Sequence, residues 1–72
     1  MEKTLTFRGA KFILRDTGEF LYLYPPEGIE TRNELQCFSP TEIELSDAIG
    51  EKVECVDIMD MVTIYARIGK EE

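Results

Sequence analysis

Fifteen carboxylates and no histidine set the chemistry open to this 72-residue chain. Paired carboxylates can share a proton or hold a hard cation. Glu42 and Glu44 are close in sequence, as are Asp57 and Asp60. Neither pair belongs to the Asp-x-Asp-x-Asp-Gly run that a calcium loop needs. On a strand, Glu42 and Glu44 would project from one side and repel, so the expected reading is a solvated acidic face. Ser39, Ser46 and the threonines have no histidine to activate them, and nothing places Lys11, Lys52 or Lys70 beside a serine. The five glycines are scattered, so there is no phosphate loop. Cys37 and Cys55 lack the second pair that a four-cysteine zinc site requires. Two buried thiols, acting as small apolar residues in a reducing compartment, are expected rather than a disulfide. The sequence therefore predicts no enzyme, no metal and no cofactor.

Two short stretches resemble functional motifs. Asp16-Thr17-Gly18 is similar to the catalytic turn of aspartic proteases. The resemblance implies a second carboxylate supplied by a homodimer. Here Arg15 precedes the triplet and Glu19 follows it, where that family has an apolar strand and a small residue. Asp-x-Gly is also ordinary hairpin chemistry, and a turn is the expectation. Leu21-Tyr22-Leu23-Tyr24-Pro25-Pro26 is similar to the aromatic edge of SH3 domains, which docks proline-rich peptides. The tryptophan of that groove is missing, since the chain has none. Tyr22 and Tyr24 remain candidates for a binding surface, whereas Phe20 is expected on the core side of its strand.

Charge is divided along the chain. Residues 1–15 carry four bases against one acid, a balance of +3. Residues 16–66 carry twelve acids against Arg32 and Lys52, a balance of −10, and the last six residues cancel, giving −7 overall. Such a balance disfavours direct nucleic-acid binding, which relies on Lys and Arg. It favours a basic protein surface as partner.

The elements that must position these residues read mainly as strands. Alternation over Lys3–Arg8 sets Leu5 and Phe7 to one side; over Ala10–Arg15 it aligns Ala10, Phe12 and Leu14. Gly9 permits a bend between them. Glu19–Tyr24 is apolar on both faces, which predicts a central strand covered on both sides. Pro25 and Pro26 end it. Residues 27–34 read as a surface loop and Glu34–Phe38 as a short strand. Ser39-Pro40-Thr41-Glu42 has the form of a capping box, with Gly50 to end a helix. Glu42-Ile43-Glu44-Leu45 alternates like a strand, and the sequence reading leans that way, with a turn over 46–50. Glu51–Ile58 and Met61–Ile68 complete the set. The fold expected for 1–72 is one all-β domain: a barrel or sandwich of five to six antiparallel strands, of SH3-like or OB-like size, with one short helix at 40–49 as the alternative to the strand there.

No apolar run follows Met1-Glu2-Lys3, and none is long enough to span a membrane. A cytoplasmic protein is expected, in the host cytoplasm if virus-encoded. The expected function is binding or inhibition of a macromolecular partner through carboxylates. Small acidic phage proteins that fill the nucleic-acid channel of a host defence protein, with carboxylates where phosphates would lie, are the model for this class. The expected surface comprises Glu27, Glu30, Glu34, Glu42, Glu44, Glu51, Glu54 and Asp57, with Tyr22 and Tyr24 at its edge. Reversing Glu42 and Glu44 to lysine is expected to abolish binding and leave melting nearly unchanged. The alternative is an assembly subunit, or a homo-oligomer that binds a small ligand, using apolar faces that include Val56, Ile58, Met59 and Met61.

Overall fold

Alternation over the first third of the chain produces two hairpins in the computed structural model, which describes residues 2–59 and 62–69. Strand β1 (Glu2–Phe7) turns into β2 (Ala10–Asp16) through Arg8 and Gly9, with Phe7 opposite Ala10. Both turn residues have positive φ, 52° and 83°, the backbone of a two-residue turn matched to strand twist. Strand β2 turns into β3 (Phe20–Tyr24) through the Asp16-Thr17-Gly18 triplet. There Asp16 Oδ1 accepts the Gly18 N–H at 2.8 Å, and Gly18 takes φ 97°. The triplet is thus a side-chain-stabilised hairpin turn, as its composition predicts.

Helices α1 (Arg32–Gln36) and α2 (Glu42–Ile49) follow, then β4 (Val53–Met59) and β5 (Thr63–Ile68). The strands form one antiparallel sheet in the order β1-β2-β3-β5-β4. The mostly β, five-stranded antiparallel domain matches expectation, and the stretch 40–49 takes its alternative form, a helix. The sheet has β1 and β4 at its ends, and the helical segment covers one face of it. Asp60 and Met61, assigned above to a carboxylate pair and to an apolar interface, lie outside the described residues.

Three local expectations are corrected. Residues 42–45 are helical, and so is most of 34–38, because both stretches carry capping boxes. Thr31 accepts the Glu34 N–H while the Glu34 carboxylate accepts the Thr31 N–H; Thr41 and Glu44 repeat the pattern. Each box satisfies helix-end donors that a strand would have to place in a ladder. Gly50 closes α2 at φ 77°, its N–H donating to the Ser46 carbonyl at 2.8 Å. The true cap is Thr41, two residues past the serine that the sequence suggested. The third correction concerns β3, which is covered on one side only.

The covered face holds the core. Phe7, Ala10, Phe12, Leu14, Leu21, Leu23, Val53, Ile64, Ala66 and Ile68 meet Leu35 of α1 and Leu45 of α2, both fully buried. Val56 and Ile58, read above as interface residues, pack against this core. Arg8 ties the first hairpin to the helices, donating to the Ser39 carbonyl at 3.1 Å and pairing with Glu44 at 2.8 Å. That anchorage holds a non-glycine residue in the left-handed region. Cys37 and Cys55 are both free and both exposed, which corrects the buried-thiol expectation. Cys55 lies in a bulge of β4 at φ 58°, and the extra residue there turns its side chain out of the core.

Candidate binding surfaces

The sheet gives the molecule two unlike sides, and the candidate residues divide between them. Glu27, Glu30, Glu34, Glu42, Glu44 and Glu51 belong to the helical segment. Tyr22, Tyr24, Glu54 and Asp57 belong to the strands. Register places Tyr22 opposite Tyr65, Tyr65 opposite Asp57, and Glu54 opposite Arg67, so these four share the sheet face that no helix covers. The ten residues therefore form two groups, on opposite sides of the sheet.

Within the helical segment, Glu34 and Glu44 have structural tasks. The Glu34 carboxylate accepts the Glu30 N–H at 3.2 Å, the Thr31 hydroxyl at 3.0 Å and the Thr31 N–H at 3.1 Å. These bonds, the Glu30 amide foremost, hold its pKa below the usual glutamate value. The Thr41 N–H, at 2.9 Å, does the same for Glu44, with Arg8 adding to it. Reversing Glu44 would break a cap and an ion pair together. The Glu42→Lys, Glu44→Lys pair would thus disturb folding as well as binding, contrary to expectation. Glu27, Glu30, Glu42, Asp47 and Glu51 are exposed, and among the described residues none of their carboxylates caps a helix or pairs with a base within 4 Å. Of the two bases in this segment, Arg32 donates to the Ile58 carbonyl at 3.2 Å.

The uncovered sheet face is aromatic at its centre. Phe20 stacks on Tyr65 with ring centroids 5.4 Å apart, and Tyr22 meets Tyr65 at 5.8 Å. Phe20 is therefore a surface aromatic, not the core residue expected. Neither Phe20 nor Tyr65 was marked as a site residue; the apolar composition of β3 on both faces was the signal that could have found them. Ile13, 48% exposed, and Tyr24, 36% exposed, extend the patch. Lys11 and Arg15 flank it on β2, and Glu54, Asp57 and Met59 flank it on β4.

At one end of this face, a shallow cleft of about 360 Å³ is lined by Glu19, Phe20, Glu54, Arg67, Ile68 and Gly69. Two of its three charged side chains are spent on each other: Arg67 pairs with Glu54 at 3.2 Å. The Glu54 carboxylate lies over Gly69, where a Cβ would collide with it. Among the described residues, no group of three or more acids and cysteines is placed to hold a metal ion. No helix among them is long and apolar enough to cross a membrane. Comparison with known protein families, with curated proteins and with solved structures finds no significant match to this chain.

Proposed function

We propose that the chain is a non-enzymatic binding protein whose helical segment engages the basic surface of a macromolecular partner. One observation carries this reading. Glu27, Glu30, Glu42, Asp47 and Glu51 stand exposed on the helical side, while Lys11 and Arg15 project from the opposite side of the sheet. Residues 27–52 hold seven acids against Arg32 and Lys52, a balance of −5 that makes up most of the net charge of −7. Fields of this kind accelerate encounter with a basic patch and repel nucleic acid. The finer reading is inhibition: the carboxylates occupy a basic channel that otherwise holds phosphates, as in a nucleic-acid-binding defence protein of a host cell.

The test neutralises the acids that have no structural task. A variant with Glu30→Gln, Glu42→Gln, Asp47→Asn and Glu51→Gln keeps both capping glutamates. Affinity capture with the wild-type chain is expected to retain a partner that elutes as salt rises, and the variant is expected to lose that partner. A partner held equally by both chains overturns the reading.

A further inference from the structure

The uncovered sheet face carries a charge pattern that complements itself. Strand order sets β2 on one flank, β3 and β5 in the centre, and β4 on the other flank. Three rows cross these strands. In the middle row, Arg15 lies opposite Tyr22, Tyr22 opposite Tyr65, and Tyr65 opposite Asp57. On one side of it, Phe20 lies opposite Arg67 and Arg67 opposite Glu54. On the other side, Ile13 lies opposite Tyr24, and Thr63 opposite Met59. A two-fold axis parallel to the strands, between β3 and β5, turns the face over and lays β2 of one copy on β4 of the other. Each row then meets itself reversed, as an isologous interface requires.

We propose that this face packs against the same face of a second copy of the chain. In the middle row, Arg15 of each copy meets Asp57 of the other, and Tyr22 meets Tyr65. In the flanking rows, Phe20 meets the guanidinium of Arg67, and Ile13 meets Met59. These contacts pair unlike charges, rings, a cation with a ring, or two apolar groups, and in the outer row Tyr24 meets Thr63. Charge complementarity selects this occupant. The face as a whole balances Lys11, Arg15 and Arg67 against Glu2, Glu54 and Asp57, whereas a single-stranded nucleic acid would want an excess of bases beside the aromatics. Four strands at about 4.8 Å spacing and about 17–20 Å in length make a patch of roughly 400 Å² in projection on each copy. The two copies together contribute about 800 Å², below the range of stable specific interfaces, so the dimer is weak and populated by concentration. The helical segments remain outside it, and the proposal stands independently of the function assigned to them.

The charge swap provides the test. Within one copy, Arg15 and Asp57 are three strand spacings apart, about 14 Å, beyond the reach of an ion pair. Any rescue of one by the other must therefore come between copies. Sedimentation across micromolar to millimolar concentration is expected to show reversible dimerisation of the wild-type chain. Arg15→Asp alone and Asp57→Arg alone are each expected to weaken it at least tenfold. The two together are expected to restore it. Both positions are exposed; Asp57 Oδ1 also accepts the Ile58 N–H at 2.7 Å, a local bond whose loss should leave circular dichroism of the variants unchanged. Ile13→Ser, at another exposed position, is expected to weaken the dimer without touching charge. A wild-type chain that stays monomeric throughout overturns the proposal. So does dimerisation indifferent to the single substitutions, failure of the double swap to restore it, or stoichiometric binding of a single-stranded oligonucleotide to this face in place of self-association.

Discussion

Glu34 and Glu44 show how one residue type serves two purposes in an acidic chain. Both stand among the carboxylates expected to bind, and both are helix caps whose pKa lies below the usual glutamate value, held there mainly by backbone amides. A carboxylate whose folded pKa is depressed contributes stability that is present above its unfolded value. That contribution is lost as pH falls through the lower folded value. Thermal melting is therefore expected to fall as pH drops below the usual glutamate value. Glu44→Gln, which can still accept the Thr41 amide, should flatten the part of that fall due to Glu44. An unchanged pH profile in Glu44→Gln would count against the assignment. Cys55 makes a different residue-scale case. Its φ of 58° costs a non-glycine residue about 1 kcal/mol or more, which Cys55→Gly would relieve against a backbone entropy loss of about 0.5–1 kcal/mol. Melting of Cys55→Gly is expected to stay within a few degrees of wild type. Cys55→Val, β-branched at positive φ, is expected to melt clearly lower. Equal melting of the two variants would contradict the strain at this bulge.

At the scale of elements, the strands were legible and the helices only half so. Leu5 and Phe7, then Ala10, Phe12 and Leu14, alternate without interruption, and the turn residues between strands name the turns. Over 42–45 two signals competed. Glu42-Ile43-Glu44-Leu45 alternates, yet Ile43 ends 75% exposed while Leu45 is fully buried. Leu45 and Ile49, one helical turn apart, both face the sheet. The capping box and Gly50 outweighed a short alternation, because four residues of period two are too few to specify a face. The five-residue α1 carried even less pattern, and its box over Thr31 and Glu34 was read as loop polarity. Leu45 is the anchor that holds α2 on the sheet. Leu45→Ala is expected to cost about 2–5 kcal/mol, enough to leave so small a domain largely unfolded at ambient temperature. A shift of only a few degrees in melting would mean that α2 contributes little to the core. The candidate surface was less legible than the fold, because which side of a strand a helix covers depends on the sheet order. No spacing along β3 distinguishes Leu21 and Leu23, which are buried, from Tyr22 and Tyr24, which are not.

At the scale of the whole molecule, the acidic excess lies on the helical side of the sheet and the uncovered side is balanced. Residues 27–52 carry a balance of −5 beside the helices, whereas the uncovered face sets Lys11, Arg15 and Arg67 against Glu2, Glu54 and Asp57, and Arg8 ties the first hairpin to the helices. A dimer built on the uncovered face would present two acidic layers outward, so a partner with two basic patches would be held by both. The central claim is that the helical segment binds through its free carboxylates. The most direct measurement is a titration of the captured, purified partner with the wild-type chain and with the Glu30→Gln, Glu42→Gln, Asp47→Asn, Glu51→Gln variant, at low and high salt. The expected result is an affinity that falls steeply with salt for the wild-type chain and is weak for the variant at both salt concentrations, with melting of the two chains alike. Equal affinity for the two chains, unaffected by salt, would contradict the account.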